Sequence, residues 1–261
     1  MELSFYKYQG TGNDFVMVDN RKKLMSKNNT KLVSHLCDRK FGIGADGLIL
    51  LEDPEEEGLD FKMVYYNSDG AESTMCGNGG RCITAFARRL GIINGKASFV
   101  AVDGPHDADI NDDGTVSLHM QDVKNIETFA DHCILNTGSP HYILWSEDVQ
   151  EEDVFGRGRA IRHQAEFEPK GINVNFVQLR DGDIFVRTYE RGVEDETYSC
   201  GTGVTAVAIA SSEDKTGDFS LDIETPGGML KVSFTKTTAT SAQNVILSGP
   251  AEFVFEGEIE L

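Results

Sequence analysis

Two short stretches, Cys76-Gly77-Asn78-Gly79-Gly80 and Cys200-Gly201-Thr202-Gly203-Val204, each set a cysteine directly before a Gly-polar-Gly bend. The repeat constrains the fold more than any single motif, because its surroundings repeat as well. Thr11-Gly12-Asn13-Asp14-Phe15-Val16 is matched, with one residue added, by Thr137-Gly138-Ser139-Pro140-His141-Tyr142-Ile143. Thr11 precedes Cys76 by 65 residues, and Thr137 precedes Cys200 by 63. Tyr66-Asn67 and Tyr189-Glu190 correspond too, the tyrosines standing ten and eleven residues ahead of their cysteines. The chain therefore reads as an internal duplication of two units of about 130 residues, an ordinary domain size. The expected lobes are residues 1–122 and 123–249, with a last strand over 250–261 returning to the first lobe.

The hydrophobic pattern supports this plan. Tyr6–Tyr8 and Phe15–Val18 read as strands flanking a turn, and further strands are expected over 48–51, 61–66, 97–102 and 116–120. Leu32, Val33, Leu36 and Cys37 have helical spacing behind the cap candidate Thr30; Ile83, Phe86, Ala87 and Leu90 form a second helix closing at Gly91. The second half offers strands over 174–179 and 184–189, then the run 204–210 behind Cys200. That run is apolar on every face, as expected of a helix enclosed by sheet. Thr225-Pro226-Gly227-Gly228 makes a late turn and Ala251–Phe255 a final strand. The predicted fold class is α+β: two pseudo-symmetric lobes, each a curled mixed β-sheet wrapped around a central helix. No proline- or serine-rich linker separates them, so tight association is expected.

Composition narrows the functions. A net charge of −19 repels phosphate, which argues against nucleic-acid and anionic-membrane partners while leaving a small zwitterionic substrate open. No apolar run approaches the ~18 residues of a membrane helix, and the first residues lack the pattern of a signal peptide. A cytoplasmic protein is expected. Five cysteines, an odd number, read poorly as a disulfide framework. Cys37 lies on an apolar helix face and Cys82 and Cys133 are taken as structural. A metal site is not expected, since no Cys-x-x-Cys or spaced histidine pair accompanies the thiols. Gly42-Ile43-Gly44-Ala45-Asp46-Gly47 has the dinucleotide-binding spacing, but a helix precedes it and a strand follows, the reverse of the required order.

The chemistry lies in the two thiols. A helix N-terminus carries roughly half a positive charge and unpaired amides, and a cysteine there can titrate between ~3.5 and ~7.5. The same glycine-rich bend offers a nest of backbone N–H groups to a carboxylate. If a pseudo-twofold axis sets the two helix ends face to face, one sulfur can remove an α-proton while the other delivers one from the opposite side. Stereoinversion needs two such groups, whereas acyl transfer needs one. No cofactor site is evident, so positioning and a dry set of donors must lower the barrier. A cysteine peptidase using His141 leaves the second thiol unexplained.

Together these motifs, with Asn67-Ser68-Asp69-Gly70, Tyr189-Glu190-Arg191-Gly192 and Gly249-Pro250-Ala251, make the sequence closely resemble the bacterial diaminopimelate epimerase family over nearly its whole length. The resemblance implies conversion of LL-2,6-diaminoheptanedioate to the meso form without pyridoxal phosphate, for lysine and peptidoglycan synthesis. It implies Cys76 and Cys200 as the acid/base thiols, and Gly77, Asn78, Gly201 and Thr202 as holders of the reacting carboxylate. Asn13, Asn67, Asn173, Glu190 and Arg191 would bind substrate, Glu190 together with His141 would also adjust the thiols, and Phe255 would lie near a homodimer contact. Gly47 and Ser139 depart from members with glutamine and asparagine there. A proline racemase, which has no distal carboxylate for Arg191, and a noncatalytic amino-acid binder are the alternatives.

Overall fold

Glu2–Gly10 (β1) and Asn13–Asp19 (β2) form a hairpin because Thr11 and Gly12 both adopt positive φ, 51° and 82°, the turn whose twist suits two antiparallel strands. The computed structural model describes residues 2–26, 29–73, 75–180 and 182–261. Its chain divides into two units, Met1–Leu118 with Gly249–Leu261, and His119–Ser248. The division falls slightly before the expected one near 123. Met120 N donates to Val245 O (2.8 Å), and Val123 and Ala242 exchange both backbone bonds, which ties residues 120–123 to the second unit.

In unit 1 the hairpin is followed by helix α1 (Thr30–Cys37), β3 (Gly47–Glu52), β4 (Phe61–Asn67), β5 (Glu72–Ser73), helix α2 (Gly77–Arg89), β6 (Lys96–Ala101), β7 (Gly104–Ile110) and β8 (Val116–His119). β3 joins β2 in parallel, β4 pairs antiparallel to β3, and β6 returns parallel to β4. Unit 2 carries β9 (Ile126–Thr128), β10 (His132–Asn136), β11 (Pro140–Trp145), helix α3 (Val154–Arg162), β12 (Asn173–Arg180), β13 (Asp183–Glu190), β14 (Asp195–Thr197), helix α4 (Gly201–Ser211), β15 (Gly217–Thr225), β16 (Gly228–Thr238) and β17 (Ser241–Gly249). Its pairings repeat those of unit 1: β10–β11 antiparallel, β11–β12 parallel, β12–β13 antiparallel, β13–β15 parallel, β15–β16 antiparallel. Each unit also adds a strand against its opening hairpin. In unit 2 this is β9, next in sequence to β10; in unit 1 it is β18 (Glu252–Glu260), which runs antiparallel to β1.

Both cysteine-headed helices are enclosed. Ten of thirteen α2 residues and nine of eleven α4 residues are buried, so a sheet covers them on most sides. Around α4 pack Val177, Val186, Ile223, Val232 and Leu247. α2 ends as its sequence demands: Arg88 and Arg89 lie in the last turn, where the carbonyl end favours cations, and Gly91 takes φ 72°. Two local expectations change. The cap of α1 is Asn29, whose side-chain oxygen accepts from Leu32 N (3.2 Å), so Thr30 is instead the first helical residue. α3 was not anticipated; its glycines Gly156 and Gly158 hide it. A Cβ at Gly158 would meet Tyr189 Cβ at 2.4 Å, so the glycine allows helix and strand to touch.

Candidate active site

In unit 1, Cys76 caps α2. Its extended backbone (φ −103°, ψ 145°) turns the sulfur back over the helix end, where Sγ accepts from Gly79 N at 3.2 Å. Asn13 Oδ1 lies 3.9 Å from the same sulfur and accepts from Asn78 Nδ2 at 3.3 Å. The Asn13 amide is oriented by its other end, which donates to Asp46 Oδ2 (2.8 Å); Asp46 in turn pairs with Arg39. Asp14, bonded to Arg39 and Lys7, is desolvated, but those cations outweigh the burial and hold its carboxyl down to about 2. Arg81 is fully buried in the first turns of α2 and reaches Gly77 O, Thr11 Oγ1, Asn78 Oδ1 and Pro250 O. Asn67 is exposed at the end of β4, directly across from Gly47. A Cβ at Gly47 would lie 2.6 Å from Tyr65 Cε2 and from Tyr66 O, so the Tyr65 ring fills the space a larger side chain needs.

In unit 2, Cys200 caps α4 with φ −113° and ψ 108°, and its Sγ lies 3.5 Å from Thr202 Oγ1. Thr137 Oγ1 donates to Thr202 O (2.8 Å) and so holds the bend. Asn173, Ser139 and Arg191 form one cluster. Asn173 Nδ2 donates to Ser139 Oγ (2.9 Å), its Oδ1 accepts from Arg191 N (2.8 Å), and Arg191 Nη2 donates to Ser139 Oγ (3.1 Å). Arg191 Nη1 also donates to Lys170 O (3.2 Å), so among the described residues this partly exposed guanidinium meets only neutral oxygens. Glu190 accepts from Thr197 Oγ1 at 3.0 Å.

His141 is wholly buried, and burial, helped by the Arg191 charge, pushes its proton affinity down to about 3. It is therefore neutral, and its tautomer is fixed from behind. Asn175 Nδ2 donates to Tyr142 O (3.1 Å) and faces His141 Nδ1 (3.2 Å), while Asn175 Oδ1 accepts from Thr188 Oγ1 (3.0 Å). An amide nitrogen can only donate, so Nδ1 is the acceptor and Nε2 holds the proton. That Nε2 is buried without a hydrogen-bond partner among the described residues. Strand register sets His141, Asn175 and Thr188 where unit 1 has Phe15, Ile49 and Tyr65. The two units thus differ chemically behind matching turns.

Each unit brings its own predicted residues together: Cys76, Gly77, Asn78 and Asn13 in one, Cys200, Gly201, Thr202, His141, Asn173 and Arg191 in the other. Phe255, 44% exposed on β18, packs edge-on against Phe5 (6.0 Å) beside the exposed Phe253 and Val254. Cys37 and Cys82 are buried thiols that desolvation pushes up to about 12, and burial raises Cys133 as well. Among the described residues no three metal-ligating side chains gather. Asn175 and Thr188 were missed in the sequence. The available signal was Asn173-Val174-Asn175, two asparagines two apart in an otherwise apolar strand and hence on one face.

Solved structures share this fold over almost the full chain. A phenazine biosynthesis protein of the PhzF family from Bacillus anthracis superposes with a TM-score of 0.79 at 14% identity, covering 100% of both chains. A hydroxyproline epimerase from Agrobacterium vitis gives 0.70 at 15% identity, covering 99% of this chain and 92% of the other. At such identities the likeness concerns the fold, and the class it defines is the duplicated α+β fold that epimerases and PhzF proteins share. Within that class the sequence is more specific. The family pattern described as diaminopimelate epimerase matches residues 5–126 and 133–254. A relative from Flavobacterium psychrophilum, named diaminopimelate epimerase, is 51% identical over 98% of this chain and 100% of its own length. One of the same name from Aquifex aeolicus is 38% identical over 98% of each. The chain belongs to the diaminopimelate epimerase family, and is a cofactor-independent epimerase.

Proposed function

We propose that the protein interconverts LL- and meso-2,6-diaminoheptanedioate, supplying lysine and peptidoglycan synthesis in the cytoplasm. Cys76 and Cys200 act from opposite faces of the α-carbon, one removing the proton and the other returning one. The first-turn amides around Gly77-Asn78 and Gly201-Thr202 hold the reacting carboxylate. Asn13, Asn67, Asn173 and Arg191 hold the rest of the substrate, the guanidinium matching the distal carboxylate, while Glu190 and the neutral His141 adjust the thiols. The exposed Phe253-Val254-Phe255 run on β18 is the candidate homodimer contact. The observation that carries the reading is that two units of one topology each set a cysteine at the head of an enclosed helix.

The test is incubation with the LL isomer in heavy water, under reducing conditions and without added cofactor. Deuterium is expected at one α-carbon, together with meso product. Absence of both would reject the reading. Cys76→Ala and Cys200→Ala should each abolish inversion, and near-normal turnover by either would remove that thiol from the mechanism.

A further inference from the structure

Three cationic side chains are buried among the described residues: Lys7, Arg81 and Lys236. Lys7 is neutralised by Asp14 (2.8 Å). Lys236 donates to Glu213 O, just past the C-terminus of α4, where the carbonyl ends favour a cation. Arg81 has neither advantage. It is fully buried, its four acceptors are three uncharged backbone or amide oxygens and a hydroxyl, and it sits at the N-terminal end of α2, where the dipole opposes positive charge. A charge placed so costs stability unless an anion answers it.

The bond it makes to its own helix turn does not explain the charge. Arg81 Nη1 donates to Gly77 O (3.2 Å), four residues back; at the matching position of unit 2, Thr205 Oγ1 donates to Gly201 O (2.9 Å). A neutral hydroxyl therefore suffices for the turn. Burial lowers the affinity of Arg81 for its proton, and the nearby sulfurs of Cys82 and Cys76 raise it. Cys82 is itself a buried thiol pushed up to about 12, which leaves Cys76, partly exposed at the same helix end, as the sulfur able to ionise.

We infer that Arg81 is the positioning residue that supplies the counter-charge for Cys76, making Cys76 the thiolate and Cys200 the thiol of the resting enzyme. This rests on the proposed role of both sulfurs in proton transfer. Of the other groups facing the first turn of α2, Asp46 is paired with Arg39, and Asp103 lies 3.3 Å from His106 next to Met75. Glu252 accepts from the neutral Gln9, keeps its negative charge and opposes ionisation of the sulfurs, so Arg81 must outweigh it. Burial keeps Tyr8 neutral, pushed up to about 12. Asn13 Oδ1, an acceptor at 3.9 Å, favours the protonated sulfur, but Gly79 N donates from the shorter 3.2 Å. In unit 2 the buried group near the turn is His141, which is neutral; the cation whose charge reaches it, Arg191, is partly exposed to solvent where Arg81 is sealed from it, and Glu190 beside Arg191 is a carboxylate of opposite sign.

The experiment is the pH profile of alkylation by iodoacetamide, with both peptides quantified by mass spectrometry in the wild-type protein. The thiolate displaces iodide and forms the S–C bond, so each profile's midpoint reports that sulfur's ionisation. The Cys76 midpoint should lie about one pH unit or more below that of Cys200, at least a tenfold difference in thiolate fraction. In Arg81→Met it should rise by about as much while that of Cys200 stays, and Arg81→Lys should keep it low. Coincident midpoints in the wild type, or Cys200 titrating first, overturn the inference whether or not the variants fold. So does an Arg81→Met protein that folds with an unmoved Cys76 midpoint. No substrate enters this measurement, so its failure is distinct from a failure of the epimerase assay.

Discussion

Replacing His141 by glutamine should remove much of the acid sensitivity of unit 2. In the folded protein the imidazole is neutral, with its affinity depressed to about 3, whereas in the unfolded chain it titrates near ~6.5. As pH falls below about 6.5 the unfolded chain binds a proton that the folded one refuses. The His141 contribution is therefore complete above that pH and is lost progressively as pH drops toward the folded value. Between pH 7 and pH 5 the loss is about 2 kcal/mol, at about 1.4 kcal/mol per unit below the unfolded midpoint. Because pH 5 is still well above the folded value, the unfolded one sets that figure. Glutamine retains an acceptor for Asn175 Nδ2 but does not titrate in this range. Trp145, the one tryptophan, lies on β11 against the α4 core and reports unit 2 by fluorescence. Urea unfolding at the two pH values should show the wild type losing about 2 kcal/mol more than His141→Gln. Equal losses would refute the assignment of a buried neutral imidazole.

Gly203→Ala should destabilise unit 2 by about 1–3 kcal/mol in the same urea assay, because the new Cβ would meet Asn175 Oδ1 at 2.5 Å and Thr188 holds that oxygen in place. Asn29→Ala removes the cap bond to Leu32 N and should cost about 1 kcal/mol, read as a lowered thermal midpoint with unchanged turnover. Arg191→Lys should raise KM for the LL isomer roughly ten- to hundredfold, as one charge-assisted bond is lost, with a smaller effect on kcat. An unchanged KM would exclude Arg191 from the distal carboxylate.

The duplication, the helices behind the cysteines and most central strands were legible because their signals are local: a glycine bend, a period, a terminal glycine. α1 was legible too, but its cap was off by one residue, since Asn29 and Thr30 both suit that role and only backbone geometry separates them. α3 escaped because two glycines depress helix propensity, and the reason for Gly158 lies across space in Tyr189. The same limit applies to the site. Motif residues Cys76, Asn78 and Cys200 could be singled out from spacing, whereas the support for His141 comes from Asn175 and Thr188 on two later strands. Arg81 stood in plain view within a motif, yet nothing in the string says that a guanidinium there is sealed from water without a carboxylate.

The placement of β18 has a consequence for synthesis on the ribosome. Every strand of unit 2 is contiguous in the chain, so that unit can complete its hydrogen bonding once its own residues have emerged. Unit 1 is translated earlier but finished later: β1 presents an unsatisfied row of backbone groups until residues 252–260 are made. The half that carries Cys76 must therefore wait, open along one strand, while the half that carries Cys200 is built.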